Sequence, residues 1–354
     1  MNFDYNEEQQ LLADSVRRYL AKSYDFEARK RIVAGEGWSA EAWKQFVEIG
    51  LTGLPIGAEH GGFGGGAVDL MGVMEAFGEA LVVEPYLPLV LAARALERGG
   101  KNGALLAAVV EGRAKLAFAH TEKGARYGLD AAQTRAKKNV LSGEKCAVIG
   151  APIAEYFVVS ARGEDGLALY LVPRSATEVK PQRTIDERLA GDVVLREAPA
   201  ERIGGGVALL EDTLDFATAL LCAEAVGAMQ FACDTTLEYL KTRKQFGVPI
   251  GTFQALQHRI VDMVISLEQA RSMACLAASK ADAERDARER ARAISAAKIK
   301  IADAARHISQ ESVQLHGGMG MSEELKVSHS FRRLTVLARE YGDADHHLAR
   351  YAAL

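Results

Sequence analysis

The period of the apolar positions changes twice along the chain, which predicts a helical domain at residues 1–113, a β domain at 114–206 and a helical bundle at 207–354. A first helix is expected behind an N-cap at Asn6, because Gln9 stands where a capping box requires it. The apolar stripe of this helix consists of Leu12, Val16 and Leu20. Two further helical runs follow, at Glu41–Ile49 and Val68–Phe77. Each helix is expected to bury one face.

In the middle segment the apolar period falls towards two, and short β-rich runs are separated by Gly, Pro and charged turns. The runs are Leu116–His120, Asn139–Ile149, Tyr156–Ser160, Leu167–Val172 and Val193–Leu195. They are too short, and intervening helices too few, for a doubly wound nucleotide-binding fold. The segment therefore predicts a compact β domain.

Long helical runs return in the last segment, on either side of a charged break at Ala281–Arg290. One apolar face is marked by Phe253, Leu256, Ile260, Met263, Val264 and Leu267, and a second by Ile294, Ala297, Ile301, Ala304 and Ile308. Antiparallel helices in a bundle explain both faces. The fold class is therefore α+β, with an N-terminal helical domain, a middle β domain and a C-terminal four-helix bundle.

Composition excludes several classes of partner. The 354 residues carry a net charge of −4, from 43 Lys and Arg against 47 Asp and Glu, so no basic field would hold a nucleic acid. The acidic opening Met1–Gln10 has no leader pattern, and no uncharged apolar run reaches 18 residues. We expect a soluble, cytoplasmic protein with no membrane partner.

Metal and nucleotide motifs are weak. His346 and His347 lie among aspartates, but adjacent helical residues point about 100° apart, and the four cysteines lack ligand spacing, so no metal site is predicted. Ala58–Gly66 is Gly-rich but lacks a preceding strand and a GK[ST] ending, which favours a turn between helices. Gly204–Gly206 is explained by a flexible junction. Neither stretch predicts NAD or ATP.

Two later blocks suggest a bound anion. In TRKQFGVPIGTFQALQHRIVDM (Thr242–Met263), Arg243 stands at a helix boundary, where a guanidinium can hold two phosphate oxygens; a charged turn between helices is the alternative. In QLHGGMGM (Gln314–Met321), paired glycines allow a backbone or a ligand to approach closely; a helix C-cap is the alternative.

Five motifs, in order, resemble the acyl-CoA dehydrogenase family over essentially the whole chain: EEQQLLADSVRRYLA, IGLTGLPIGAEHGGFGG, AFAHTE, RKQFG and QLHGGMG. The stretches DFEARKRI, CAEAVGAMQ, YLKTRKQFGVPIGTFQALQHR and YGDADHHLA are further similar to the branch that contains the small subunit of pimeloyl-CoA dehydrogenase. This branch implies an acyl-CoA substrate, and a dicarboxylyl-CoA such as pimeloyl-CoA in particular.

The resemblance implies FAD held at a subunit interface, and therefore an oligomer. Arg243 would contact the FAD pyrophosphate, with Phe246 and Gln254 nearby. Gln314, Gly317 and Gly318 would approach the FAD of the neighbouring subunit, and Phe118 and Thr121 would lie beside the flavin ring. The implied partners are a second copy, as a dimer or tetramer, or a larger acyl-CoA dehydrogenase subunit, together with an electron acceptor that reoxidises the flavin.

The family's α,β-desaturation needs a carboxylate to remove the α proton of the acyl-CoA. In the corresponding loop, Tyr341 occupies the place of the base, and Ala217 occupies the place used by other members. Glu340 and Asp343 are the replacement candidates, with Asp345 just beyond them.

Ala147 also stands where the family often has a Trp over the flavin. A structural subunit that only completes a partner's FAD site is therefore the alternative, and a different flavin reaction, such as an oxidase, is a third hypothesis.

Overall fold

The computed structural model describes residues 5–100, 102–283 and 285–354. These form two compact units. The sheet unit consists of Lys30–Gly66 and Val83–Ala217, and the helical unit consists of the chain up to Arg29 with Ala67–Val82 and Thr218–Leu354. Part of the acidic opening and Glu284 of the charged break lie outside the described residues. The division into three domains stays a prediction.

The helices predicted behind Asn6, at Glu41–Ile49 and at Val68–Phe77 are confirmed, and the N-terminal region contains further helices that were not predicted. The helices of this region are α1 (Glu7–Ser23), α2 (Phe26–Ala34), α3 (Ala40–Ile49), α4 (Ala67–Ala80), α5 (Tyr86–Arg98) and α6 (Gly103–Val110). The Asn6 side chain accepts a hydrogen bond from the Gln9 backbone at 2.9 Å, and the Gln9 side chain accepts one from the Asn6 backbone at 3.0 Å. This is the predicted capping box, and Val16 and Leu20 are buried behind it.

The middle segment forms an eight-stranded, mostly antiparallel sheet. Its strands are β1 (Leu116–Ala119), β2 (Arg135–Lys137), β3 (Val140–Ile149), β4 (Tyr156–Gly163), β5 (Gly166–Pro173), β6 (Glu178–Arg183), β7 (Leu189–Pro199) and β8 (Glu201–Arg202). The order is β6-β7-β3-β2-β4-β5-β8, and β1 pairs with β4 in parallel. All five predicted runs are strands. β6 was missed because its side chains are mostly polar and exposed, so it has no apolar alternation.

The C-terminal region is helical, as predicted. Its elements are α7 (Gly206–Thr242), β9 (Lys244–Gln245), β10 (Val248–Pro249), α8 (Gln254–Ala283), α9 (Ala287–His316), α10 (Lys326–Leu337) and α11 (Ala344–Ala353). The predicted apolar face of α9 is buried throughout. The charged break is shorter than predicted, because α8 continues to Ala283 and Asp286 already caps α9 through the backbone N–H of Arg288.

The predicted apolar face of α8 is only partly correct. Ile260, Met263 and Leu267 are buried, but Phe253 and Val264 are 39% and 42% exposed. Val264 follows Met263 directly, so it points about 100° away around the helix. Phe253 lies just before the helix begins. The apolar stripe by which α8 packs against its own unit is therefore narrower than the sequence predicts. The other apolar side chains of α8 lie on the surface of the unit.

Close helix packing explains the burial of α7. A Cβ atom at Gly78 of α4 would lie 1.9 Å from the Glu224 carbonyl oxygen, and one at Gly227 of α7 would lie 1.8 Å from the Glu75 carbonyl oxygen. The two helices therefore approach backbone to backbone. α7 is long and apolar enough to cross a membrane, but 89% of its most apolar window is buried, which is typical of the core helix of a soluble protein.

Candidate functional site

The RKQFG block forms an exposed hairpin at the end of α7. Phe246 and Gly247 both have positive φ angles, 53° and 83°, which is the conformation of a type I′ turn between β9 and β10. The turn leaves the Phe246 side chain 92% exposed. The backbone of Arg243 is held by Tyr239 and Ile250, each through a 2.8 Å hydrogen bond, while its side chain is exposed. A rigid backbone thus presents a guanidinium to solvent.

The paired glycines of QLHGGMGM lie where α9 ends. Gly317 is the C-cap, with φ 62°, and its N–H donates to the Gln314 carbonyl. A Cβ atom at Gly317 or Gly318 would find no atom within 4 Å, so the space beside this backbone is open. Gln314 is exposed as well. The stretch is therefore a helix C-cap, and it also leaves room for close approach of a ligand.

A ring stack joins the two blocks within one chain. The Tyr239 ring lies over His316, with centroids 4.4 Å apart and planes inclined by 27°. His316 Nδ1 donates to the Ser312 carbonyl at 2.8 Å, since a carbonyl can only accept, and burial lowers the pKa of the imidazole. The predicted dinucleotide contacts Arg243 and Gln314 therefore lie at the same end of one helical unit, although the sequence interpretation had divided them between the two chains that share an FAD.

The side chains at this end fit a dinucleotide. Arg243 offers planar donors that match phosphate oxygens, and Gln254 at the start of α8 and Gln314 are exposed amides. The open backbone at Gly317 and Gly318 allows close approach. We call these five residues, together with Phe246, the dinucleotide surface.

The loop between α10 and α11 gives each candidate base a structural partner. Arg333, which is buried, binds both carboxylate oxygens of Glu224 at 2.6 and 2.7 Å. Its Nη1 lies 3.5 Å from Oε2 of Glu340. Asp343 is the N-cap of α11 and accepts a hydrogen bond from the His346 backbone at 2.9 Å. The loop therefore uses both carboxylates to hold its own shape.

The backbone around Tyr341 is fixed from two sides. The buried ammonium of Lys298 donates to the carbonyls of Leu337 and Glu340, the latter at 2.9 Å. On the other side, His347 Nε2 donates to the Tyr341 carbonyl at 3.2 Å. Burial, followed by the charge on Lys298, lowers the pKa of His347 to about 3, so its ring is neutral. Tyr341 itself has a positive φ of 56°. The loop is built for one backbone conformation.

The predicted flavin-ring contacts lie in the sheet unit. Phe118 is buried on β1, and Thr121 is exposed two residues beyond the end of that strand. The Thr121 carbonyl accepts a hydrogen bond from the Cys146 backbone at 2.8 Å. Ala147 lies in a bulge of β3, with φ 50°, and its N–H donates to Asp192. The backbone of this segment is thus ordered, although Ala147 offers no ring to cover a flavin.

Sequence reasoning missed a polar cluster inside the sheet unit. Lys145 is completely buried and forms an ion pair with Glu122, beside Ser160 and His120. One signal was available: Lys145 interrupts the apolar positions of a predicted strand, and a buried charge needs a partner.

Comparison with known proteins identifies the class. Models of the acyl-CoA dehydrogenase N-terminal and C-terminal domains match residues 6–102 and 204–353. The chain is 30% identical over 353 residues to the L-prolyl-[peptidyl-carrier protein] dehydrogenase of Serratia sp. (strain ATCC 39006), covering 92% of this chain and 90% of that protein. The chain belongs to the acyl-CoA dehydrogenase family, whose members are flavoprotein oxidoreductases.

Two solved structures are similar over nearly their whole length. The ChsE4-ChsE5 complex from Mycobacterium tuberculosis has a TM-score of 0.91 at 26% identity, with 100% of this chain and 98% of that chain covered. PigA with FAD and proline has a TM-score of 0.89 at 28% identity, with the same coverage. Closeness to the pimeloyl-CoA dehydrogenase small subunit is not supported by these similarities and remains a prediction.

Proposed function

We propose that the chain is an FAD-dependent subunit of an acyl-CoA dehydrogenase that works in assembly with a larger homologous chain. The observation that supports this most directly is the stack of Tyr239 on His316, which joins the last turn of α7, just before Arg243, to the last turn of α9, just before the open glycines. The similar ChsE4-ChsE5 structure is a complex of two different chains, and the similar PigA structure contains FAD.

FAD, when bound, supplies the acceptor for the hydride that leaves the β carbon of the acyl group. In this proposal Arg243 pairs with the pyrophosphate, and Gln254 and Gln314 donate to neighbouring oxygens. Phe118 and Thr121 stay the predicted contacts of the flavin ring. The chain's own residues thus bind and orient the cofactor.

Removal of the α proton is the step that this chain's loop does not provide for. Glu340 lies against Arg333, and Asp343 caps a helix, so each carboxylate already has a structural partner within the chain. The phenol at Tyr341 is a poor carbon base, because its ordinary pKa is about 10. These observations favour the second candidate function, in which the larger subunit supplies the base and this chain completes its FAD site.

One experiment separates the two functions. The chain alone and the chain with its larger partner are mixed anaerobically with acyl-CoAs, including pimeloyl-CoA, and flavin bleaching is followed. We expect bleaching only by the complex. Glu340→Gln is expected to change the bleaching rate of the complex by less than about tenfold, whereas loss of a general base costs about 10²–10⁴-fold.

The contrary results are equally clear. Bleaching by the chain alone would make it a self-sufficient dehydrogenase. A loss of a hundredfold or more in Glu340→Gln, at unchanged flavin content, would identify Glu340 as the base. Bleaching by monocarboxylic acyl-CoAs and not by pimeloyl-CoA would rule out the dicarboxylyl substrate.

Assembly is expected to use the outer face of α8. Val261, Val264 and Ile265 are between 42% and 53% exposed, and they lie on the same helix as Gln254 of the dinucleotide surface. An exposed apolar cluster of this kind marks a protein interface.

We expect that the double variant Val264→Glu and Ile265→Glu will not assemble, because two charges would have to be desolvated in the interface. Light scattering coupled to size exclusion measures the mass. Leu11→Glu is the matched control, since Leu11 is a 64% exposed apolar residue on α1. Assembly of the double variant at the mass of the unaltered protein would remove α8 from the interface.

A further inference from the structure

A buried polar relay crosses the interior of the sheet unit. The Lys145 side chain is completely buried, and its Nζ donates to Glu122 Oε1 at 2.6 Å, to Ser160 Oγ at 3.0 Å and to the His120 carbonyl at 3.2 Å. An ammonium has three N–H donors, and these three acceptors use all of them. The orientation of every proton on Lys145 is therefore determined.

Glu122 anchors this relay to the backbone. It accepts hydrogen bonds from the backbone N–H groups of Gln133 and Thr134 as well as from Lys145. Burial alone would raise the pKa of Glu122, but these hydrogen bonds lower this pKa to about 2. The carboxylate is thus ionised. Burial lowers the pKa of Lys145, and the hydrogen bond to the Glu122 carboxylate opposes this by favouring the ammonium form.

The relay determines the tautomer of His120. Ser160 Oγ accepts from Lys145 and lies 2.9 Å from His120 Nδ1. Within the described part of the chain, the buried Ser160 hydroxyl has no acceptor for its own proton other than Nδ1, so this hydroxyl donates to Nδ1. Burial, followed by the charge on Lys145, lowers the pKa of His120 to about 4, so the ring is neutral. A neutral ring that accepts at Nδ1 has its proton on Nε2.

The Nε2–H group is left as a donor of fixed position. His120 is partly exposed, and its ring lies beside Phe118, with centroids 6.2 Å apart. Among the residues that the structure describes, none accepts a hydrogen bond from His120 Nε2. His120 directly precedes Thr121, so the donor belongs to the segment in which the proposed function places the flavin-ring contacts.

We propose that His120 is a cofactor-binding residue whose Nε2–H donates to an acceptor atom of the flavin ring, with Ser160 and Lys145 holding it in the donor tautomer. This inference rests on the proposed function. A donor in a fixed tautomer binds without the cost of selecting one of two tautomers, and a neutral ring adds no charge to the site.

Two measurements test the proposal. Nitrogen-15 NMR of the histidine-labelled chain without flavin reads the tautomer, and the His120 signals are assigned by their loss in His120→Gln. We expect a protonated Nε2 in the unaltered chain and a mixture of tautomers in Ser160→Ala. Fluorescence titration of the assembled protein with FAD then gives affinities. We expect His120→Leu to bind FAD about tenfold more weakly, as for one lost hydrogen bond, and His120→Gln, which keeps a donor, to stay within about threefold.

Each contrary result has its own meaning. A proton on Nδ1 of the unaltered chain would overturn the relay. Equal FAD affinity of His120→Leu and the unaltered protein would overturn the contact while leaving the proposed function intact. No FAD binding by the unaltered assembly would overturn the proposed function, and the contact with it. Weak binding by both His120→Leu and His120→Gln would make His120 a structural residue only.

Discussion

Replacing Glu224 by alanine is expected to destabilise the helical unit by about 3–5 kcal/mol, because it leaves the buried guanidinium of Arg333 without its bidentate partner. Both side chains are nearly inaccessible, at 6% and 7% exposure, and the two hydrogen bonds between them measure 2.6 and 2.7 Å. The remaining contact of Arg333 with Glu340, at 3.5 Å, is too long to replace them. Thermal and urea unfolding measure the loss.

The matched control is Glu238→Ala on the same helix. Glu238 pairs with Lys241 at 2.7 Å, but both side chains are more than half exposed, so this loss is expected to stay below about 1 kcal/mol. Replacing both partners, as Glu224→Leu with Arg333→Met, is expected to recover part of the stability, because neither member of the pair is then left alone, although Glu340 loses its contact with Arg333. If Glu224→Ala and Glu238→Ala cost the same, the buried pair does not stabilise the unit.

The pattern of apolar positions was sufficient for most helices and strands, because each buries one face with a regular period. It failed where burial did not follow that period. Strand β6 has no apolar alternation, and Val264 is apolar but lies on the outer face of α8. A single chain's pattern does not distinguish a side chain that faces its own core from one that faces another chain.

Candidate site residues could be proposed from the sequence where one short segment contains both the polar side chains and the glycines of a motif. Arg243 and the glycines at 317 and 318 stand in local motifs, and the structure leaves them exposed and open. The partners of Glu340 were not predictable, because Arg333 and Lys298 come from α10 and α9 and meet the loop only in the folded unit. Lys298 stands among the apolar positions of α9, and nothing in its sequence neighbours indicates that it binds carbonyls forty residues away.

The Arg243→Ala variant is expected to bind FAD about 10–150-fold more weakly, since charge-assisted hydrogen bonds contribute about 1.5–3 kcal/mol. Arg243→Lys is expected to recover part of the affinity, because lysine keeps the charge but not the planar pair of donors. Fluorescence titration with FAD measures both. Arg196→Ala is the matched control: Arg196 is 75% exposed and pairs with Glu178 in the sheet unit. Equal affinities for Arg243→Ala and Arg196→Ala would remove Arg243 from the cofactor site.

A second titration asks whether Arg243 and Gln314 hold the same FAD molecule. The Tyr239–His316 stack places both residues at one end of one chain, so they are expected to act on one cofactor. In a dimer of two copies of this chain, one carrying both Arg243→Ala and Gln314→Ala and the other unaltered, a shared cofactor gives one normal site and one site weakened by both substitutions. If the two residues serve different cofactors, each of the two sites is weakened by one substitution, and no site keeps its normal affinity. Because the two arrangements differ in the number of unaffected sites, the shape of the binding curve distinguishes them without any assumption about the reaction.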